Sequence, residues 1–283
     1  MDETTEFVKG HGTENDFIIV DDPTGRTSLD AQTVRQLCDR HAGIGADGVL
    51  RVVRSSELQD ESARAAATAG ATWFMDYRNA DGSIAEMCGN GSRVFAHYLT
   101  VRGYETGAEF SIGTRAGVRR VHLGSVTHSH AEVSVEMGPV RVDGLSTVVV
   151  GGRTLAGLAI NVGNPHLAAI VPGLTTSQLA ELPVDQPIDY DAAFFPEGVN
   201  VEIATALHDG VVHMRVHERG VGETRSCGTG TVATAVAALA DAGAGEGTVG
   251  VHVPGGVVSV TIADGQATLT GPSQLVFSGT IAL

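Results

Sequence analysis

The chain has 283 residues, of which 42% are hydrophobic and 18% charged, a composition typical of soluble globular proteins. A net charge of −15 argues against nucleic acid or anionic membrane as a partner, and no apolar run is long enough for a membrane span. The first residues are polar and acidic, unlike a secretory signal. We therefore expect a cytoplasmic protein, long enough for one large domain or two of ordinary size.

The chain contains one lysine, Lys9, which limits the cofactor chemistry open to it. Pyridoxal phosphate enzymes need a lysine for their Schiff base, and the residues around Lys9 resemble no cofactor site. Three cysteines are too few for a disulfide framework, and none of their spacings is Cys-x-x-Cys. A pyridoxal mechanism and a disulfide scaffold are therefore not expected.

Short strands separated by glycine-rich turns dominate the predicted secondary structure. Apolar and alternating runs predict strands at residues 17–20, 118–123, 131–135 and 257–262. Helical spacing of apolar residues predicts helices at residues 29–41, 93–101 and 231–242. Residues 55–70 are polar and alanine-rich, which predicts a surface loop or a short helix.

A duplicated thiol turn is the most informative feature of the sequence. Residues 87–92 read Met-Cys-Gly-Asn-Gly-Ser, residues 226–231 read Ser-Cys-Gly-Thr-Gly-Thr, and each copy opens a predicted helix. Cys88 follows Met75 by 13 residues, and Cys227 follows Met214 by the same interval. The repetition predicts two copies of one α+β unit.

We accordingly predict two pseudo-symmetric domains, each a mostly antiparallel sheet or barrel wrapped around a central helix. Residues 1–135 form the half that carries Cys88, and residues 136–283 form the half that carries Cys227. The boundary is placed by symmetry, because no proline- or serine-rich linker divides the chain, and the C-terminal strand is allowed to return to the first half.

The position of the two thiols predicts acid and base chemistry. A cysteine just before a helix lies at the positive end of the helix dipole, which stabilises its thiolate. The N–H groups of such a turn also form an anion site, where a substrate carboxylate could bind. Two opposed thiols suit removal of a proton from one face of a carbon and its return to the other.

Other interpretations of the same residues are weaker. Residues 228–233 match the dinucleotide fingerprint G-x-G-x-x-A, but a polar loop separates them from the preceding strand. A metal site would need Cys38 with His41, or His128 with His130, plus distant partners, so no metal is expected. Cys38 has no glycine turn after it and is predicted to be a packing residue. A redox dithiol remains an open alternative.

Several motifs, in this order along the chain, together resemble the diaminopimelate epimerase family. They are KGHGTENDF (9–17), DRHAGIGADG (39–48), NADGS (79–83), EMCGNG (86–91), GNPH (163–166), VNVE (199–202), ERGVGET (218–224), CGTG (227–230), PGG (254–256) and GP (271–272). The resemblance runs from Phe7 to Ile281. One departure is Gly48, which replaces a side chain that contacts substrate in some relatives.

The resemblance implies cofactor-independent epimerisation of LL-2,6-diaminopimelate to the meso form, which feeds lysine and peptidoglycan synthesis. It also implies a site in the cleft between two similar domains, and a homodimer. Cys88 and Cys227 would be the acid/base pair, one thiolate and one thiol, exchanging roles with direction. We expect a disulfide between them to abolish activity and reductant to restore it.

The resemblance also assigns roles to the residues around the thiols. His166 and Glu218 would tune the thiols or orient the substrate ammonium group, and Arg219 suits the distal carboxylate because a guanidinium binds it through two hydrogen bonds. The residues implied to hold the substrate are Asn15, Asn79, Asn164, Asn200, Glu218 and Arg219. The residues implied to form the anion cradle are Gly89, Asn90, Gly228 and Thr229.

Two alternative functions remain. Proline and hydroxyproline racemases also use two cysteines on this fold, but a substrate with a second amino-acid centre needs Arg219 and several amides, which this chain has. A ligand-binding or thiol-redox module built on the same duplicated unit would not need both thiols reduced at once.

Overall fold

The computed structural model describes residues 4–282, which divide into two compact units. One unit comprises the residues up to Val135 together with the segment from Pro272 onward, and the other is Glu136–Gly271. The predicted fold class is confirmed, because each unit is a mostly antiparallel sheet around one central helix. Within the described residues, no helix has the length and apolar character needed to cross a membrane.

The first unit contains three helices and eight strands, two of which extend into the second unit. Its helices are α1 (Ala31–Cys38), α2 (Glu61–Thr68) and α3 (Gly89–Val101). Its strands are β1 (Thr4–Gly12), β2 (Asn15–Asp21), β3 (Gly48–Arg54), β4 (Trp73–Asn79), β5 (Glu109–Thr114), β6 (Gly117–Val126), β7 (His130–Pro139) and the end of a long C-terminal strand.

The second unit contains two helices and ten strands. Its strands are β8 (Arg141–Val150), β9 (Arg153–Asn161), β10 (Pro165–Val171), β11 (Asp189–Tyr190), β12 (Asn200–Thr205), β13 (Val211–Glu218), β14 (Gly222–Thr224), β15 (Gly247–Val253), β16 (Gly256–Ala263) and the start of β17 (Gln266–Ala282). Its helices are α4 (Thr176–Glu181) and α5 (Gly228–Asp241).

The pairing of the strands follows the same order in both units. From β1 to β6 successive pairs run antiparallel, parallel, antiparallel, parallel and antiparallel. The series β9, β10, β12, β13, β15 and β16 has the same alternation. This agreement supports two copies of one topology, as the repeated thiol turns predict.

The central helices α3 and α5 are almost entirely enclosed by their own units. Eleven of the 13 residues of α3 are buried, and ten of the 14 residues of α5. Each methionine of the repeat lies under its helix: Ser92 Oγ lies 4.0 Å from Met75 Sδ, and Thr234 Oγ1 lies 3.2 Å from Met214 Sδ. The equal Met-to-Cys spacing therefore reflects packing of a strand against a helix in both units.

The predicted strands all fall within observed ones, whereas the helix boundaries differ. The helix predicted at 29–41 is α1, which is shorter because Asp30 caps it by accepting from Thr33 N at 2.8 Å. Helices α3 and α5 begin earlier than predicted, directly after Cys88 and Cys227, which are their N-cap residues. Residues 55–70 contain the short helix α2.

Helix α4 is absent from the predicted elements. Its start carries a complete capping box, in which Thr175 and Gln178 each bond the backbone of the other. The Thr-x-x-Gln pattern was therefore available in the sequence, but the helix has only six residues and no apolar periodicity to support it.

Candidate active site

The first unit positions Cys88 at the start of its buried central helix. Cys88 is half-buried and extended, with φ −141° and ψ 121°, and its Sγ accepts a hydrogen bond from Gly91 N at 3.4 Å. Gly89 and Asn90 form the first turn of α3, and the leading N–H groups of a helix have no acceptor within the helix. The turn therefore combines a thiol with the backbone donors of an anion site.

Asn15 connects this thiol turn to strand β2. Its Oδ1 accepts from Cys88 Sγ at 3.6 Å and from Asn90 Nδ2 at 3.2 Å. Its Nδ2 donates to Asp47 at 2.7 Å, and Arg40 in turn bonds both Asp47 and Asp16. Asn15 is therefore held at both ends of its amide, with the carbonyl oxygen directed at the thiol.

Two further residues complete the surroundings of the first thiol turn. Asn79, at the end of β4, donates from Nδ2 to Ser83 Oγ at 3.0 Å, which orients its amide. Arg93 on α3 is fully buried and donates to Thr13 Oγ1 at 3.3 Å and to the carbonyl of Pro272 at 3.2 Å. Its Nη1 has no hydrogen-bond partner among the described residues.

The second unit positions Cys227 at the start of α5 in a more enclosed place. Cys227 is only 7% exposed, and its Sγ lies 3.5 Å from Thr229 Oγ1. Gly228 and Thr229 form the first turn of the helix, matching Gly89 and Asn90 in the first unit. Arg225, two residues before the thiol, is exposed and donates to the carbonyl of Pro254 at 2.9 Å.

A buried histidine–carboxylate pair lies on the strands of the second unit. His166 Nδ1 is 2.7 Å from Glu202 Oε1, and both side chains are completely buried. The other ring nitrogen of His166, Nε2, is 3.0 Å from Asn164 Oδ1. The parallel pairing of β10 with β12, in register at His166 and Asn200, brings these residues together.

Three polar residues meet at one end of the paired strands β12 and β13. Glu218 ends β13, Arg219 follows it in the loop, and Asn200 begins β12. Glu218 accepts a short hydrogen bond from Thr224 Oγ1. Asn200 accepts from Arg219 N at 3.0 Å and donates to the carbonyl of Pro165 at 3.0 Å. The Arg219 side chain is exposed and donates to the carbonyl of Glu197 at 3.0 Å.

The environment of Cys227 opposes the thiolate that its helix position alone predicts. Burial raises the pKa of Cys227 well above its ordinary value, and the carboxylates of Glu218 and Glu202 raise it further. Hydrogen bonds from Thr229 and Gly230 N lower the pKa by less. Desolvation and the charges of the two carboxyl groups therefore both oppose ionisation of the Cys227 thiol, against the effect of the helix dipole.

Burial also raises the pKa of Glu218 and of Glu202. For Glu218 the hydrogen bond from Thr224 lowers the pKa in part and the charge of Glu202 raises it again, while for Glu202 the nearby His166 lowers it. These two carboxyl groups and Cys227 therefore form one electrostatically linked cluster in the second unit.

The structure groups the proposed site residues within their own units. The unit that contains Cys88 also contains Asn15, Asn79, Gly89 and Asn90. The unit that contains Cys227 also contains Asn164, His166, Asn200, Glu218, Arg219, Gly228 and Thr229. Cys38 packs in the core beside Val34 and Leu37. Within residues 4–282, no group of three or more His, Cys, Asp or Glu side chains could hold a metal ion.

Sequence reasoning assigned no role to Asp47, Arg93 or Glu202. Asp47 and Glu202 lie inside motifs of the family resemblance, so their position in the sequence was a usable signal. Arg93 gave none, because an arginine in an amphipathic helix is normally assigned to the solvent face.

Comparison with known proteins points to the same family as the sequence motifs. The sequence model described as diaminopimelate epimerase matches residues 7–142 and 158–276. Diaminopimelate epimerase from Corynebacterium aurimucosum is 56% identical over 281 residues, which cover 98% of this chain and 100% of that protein. The enzyme of the same name from Corynebacterium glutamicum is 56% identical over 283 residues, covering 100% of both chains.

Among solved structures, a phenazine biosynthesis protein of the PhzF family from Bacillus anthracis has the same fold, with a TM-score of 0.68 at 15% identity. The match covers 99% of this chain and 100% of that one. Full-length identity above one half, together with the family match, places the sequence among the epimerases. This chain belongs to the diaminopimelate epimerase family.

Proposed function

We propose that this protein interconverts LL-2,6-diaminopimelate and meso-2,6-diaminopimelate without a cofactor, with Cys88 and Cys227 as its acid/base pair. The observation that carries the proposal is the pair of thiols in a chain of this family. Each thiol caps a buried helix at the matching position of a repeated unit. Epimerisation at one carbon needs one group that removes the α-proton and another that supplies a proton to the opposite face.

The substrate and the two thiols supply every proton and electron pair of the proposed step. The Cys88 thiolate takes the α-proton, the C–H bond breaks, and its electron pair moves into the neighbouring carboxylate. Backbone N–H groups at Gly89, Asn90, Gly228 and Thr229 bind that carboxylate and stabilise the charge that develops on it. The Cys227 thiol then donates its proton to the other face of the carbon. The reverse direction exchanges the two roles.

The different surroundings of the two thiols support this division of roles. Cys227 is buried beside carboxylates that keep it protonated, which suits a group that enters the reaction as an acid. Cys88 is half-buried and accepts the Gly91 N–H, and the cationic guanidinium of Arg93 acts on it; the structure also has its Sγ donating to Asn15 Oδ1, which is the contact of the thiol form. A positive charge and an N–H donor both favour the anionic form of a thiol.

The remaining proposed contacts divide between the two amino-acid centres of the substrate. Asparagine amides can accept from ammonium and donate to carboxylate, so they suit the reacting centre. Glu218 is a carboxylate near Cys227 and suits the ammonium group, while His166 orients or tunes the thiol. Arg219, exposed at the start of its loop, is proposed to bind the distal carboxylate. The substrate-binding amides are Asn15, Asn79, Asn164 and Asn200.

Deuterium wash-in tests the proposal. LL-diaminopimelate incubated with reduced protein in D₂O should give meso product with deuterium at one α-carbon, and Cys88→Ala and Cys227→Ala should each abolish this reaction. Exchange with proline or hydroxyproline instead would assign the chain to the racemases. Absence of exchange with any amino acid would refute the enzymatic proposal and favour the binding or redox alternative.

The proposal extends to a homodimer located in the cytoplasm, without nucleic acid or membrane partners. Sedimentation at several protein concentrations tests the dimer, since a species with the mass of one chain at every concentration would contradict it. The net charge of −15 supports the absence of polyanionic partners.

A further inference from the structure

Glu202 on strand β12 is the most deeply buried acidic group in the surroundings of Cys227. Its side chain is completely buried, and Oε1 lies 2.7 Å from His166 Nδ1. The opposite nitrogen of the same ring lies 3.0 Å from Asn164 Oδ1. The contact sets the plane of the His166 ring, and an ionised Glu202, which can only accept, holds Nδ1 as the donor.

The same carboxylate lies against the helix turn that carries the thiol. A Cβ built on Gly230 would be 2.6 Å from Glu202 Oε1, closer than any side chain could tolerate. Gly230 is also the third residue after Cys227, in the first turn of α5. The glycine therefore leaves the space that the carboxylate occupies, and any larger residue would displace the carboxylate from the thiol turn.

Packing alone does not explain a glutamate at this position. Oε2 of Glu202 has no hydrogen-bond partner among the described residues, although the atom is buried. A buried carboxylate oxygen without a partner costs free energy that an apolar residue would avoid. The retention of the charge is consistent with a role in the reaction.

The charged and titratable groups that act on Cys227 come from several elements. Glu202 on β12 and Glu218 on β13 act on Cys227 through their charge, and both disfavour the thiolate. Thr229 and the Gly230 N–H, on α5 itself, favour it. His166 on β10 pairs with Glu202 and also acts on Glu218. Glu202 is therefore linked to the thiol, the histidine and the second carboxylate.

We propose that Glu202 is a positioning residue that fixes the His166 ring through Nδ1 and, by its negative charge, keeps Cys227 a thiol in the resting protein. The inference rests on the proposed function of Cys227 as an acid/base group. Glu202 acts through its neighbours and is not itself proposed to touch the substrate.

Two substitutions separate the charge of Glu202 from its contact. Glu202→Gln keeps the length and an acceptor for His166 but removes the charge. Glu202→Asp keeps the charge but withdraws the carboxylate by one methylene, which breaks the contact with His166. Glu223→Gln is the matched control, because Glu223 is a half-buried carboxylate of the same unit that pairs with Arg215 and does not act on Cys227.

The measurement is the pH dependence of iodoacetamide alkylation at Cys227, resolved by peptide mass spectrometry in the substrate-free protein. We expect the midpoint in Glu202→Gln to fall by roughly one pH unit or more. Glu202→Asp and Glu223→Gln should keep the wild-type midpoint. In turnover, Glu202→Asp should lower kcat roughly tenfold to a hundredfold through misplacement of His166, while Glu223→Gln should not.

An unchanged alkylation midpoint in folded Glu202→Gln would overturn the electrostatic part of the inference. Histidine ¹⁵N chemical shifts of the wild-type protein test the positioning part without any variant at Glu202, with His166→Gln used only for assignment. They should show a protonated Nδ1 at His166, and an unprotonated Nδ1 would overturn that part. Alkylation needs no substrate, so a shifted midpoint without epimerisation would refute the proposed function alone.

Discussion

Replacement of the buried arginine Arg93 by methionine separates the stability of this fold from its activity. Burial lowers the pKa of Arg93 well below its ordinary value, to about 10. One pKa unit corresponds to about 1.4 kcal/mol, so holding this charge in the folded state at neutral pH costs about 3 kcal/mol. The folded state binds the proton less tightly than the unfolded chain, so the cost is fully present at neutral pH and disappears only as pH rises above about 10.

The Arg93→Met variant removes that cost but also removes two hydrogen bonds. Thr13 Oγ1 and the carbonyl of Pro272 each lose a donor, at about 1–3 kcal/mol apiece. The terms have opposite signs and similar size, and methionine fills much of the same volume. We therefore expect a folded variant whose free energy of unfolding differs from that of wild type by about 3 kcal/mol or less.

Activity should respond more strongly than stability. The Arg93 guanidinium interacts electrostatically with Cys88, so its removal takes away a positive charge that favours the thiolate. We expect the rate of wash-in to fall roughly tenfold. Urea unfolding and the initial rate of deuterium wash-in measure the two quantities, with the exposed Arg64→Met on α2 as control. Wild-type wash-in by folded Arg93→Met would refute the reasoning, as would destabilisation by more than about 5 kcal/mol.

Three other predictions follow from single side chains. Gly48→Ala would place a Cβ 2.5 Å from the carbonyl oxygen of Arg78 on the paired strand. We therefore expect the variant to be destabilised by about 2 kcal/mol or more, and an unchanged melting temperature would contradict this. Burial raises the pKa of Glu218 above 4.5, so its contribution to stability falls as pH rises beyond that value. In Glu218→Gln, the unfolding free energy measured by urea titration should decline less between about pH 5 and pH 7, and an unaltered slope would argue against it. Burial raises the pKa of Cys38 to about 11, so iodoacetamide should leave Cys38 unlabelled at neutral pH. Cys38→Ala should retain activity, and rapid labelling of Cys38 would be inconsistent with a packing role.

Local signals in the sequence predicted the elements that carry the thiols. Glycines after each cysteine and apolar spacing beyond them identify α3 and α5, and the repeat identifies their equivalence. The polar residues at the strand ends repeat with the same spacing in both units. Asn79 and Glu218 each lie nine residues before a cysteine, at the last positions of β4 and β13. The sequence therefore contained most of the candidate site as a repeated pattern.

Contacts between distant strands could not be predicted in this way. Glu202 reaches His166 only because β10 and β12 pair in parallel, although the two residues are 36 positions apart in the sequence. Arg93 violates the rule that arginine faces solvent, since the turn at Gly12 leaves room for its guanidinium. The helix dipole alone also omits the groups that oppose a thiolate at Cys227, because the desolvating residues and the two carboxyl groups come from elements outside its own helix.

The division of the chain into units has a consequence for the order in which they can fold during synthesis. Glu136–Gly271 is one continuous segment, so the ribosome delivers the second unit complete. The first unit is in two segments: β1 pairs with β17 from Thr4 opposite Ala282 to His11 opposite Gln274. Strand β1 must therefore wait, with one edge unpaired, until the residues of β17 emerge. The unit that carries Cys88 is therefore completed only after the unit that carries Cys227 has been synthesised.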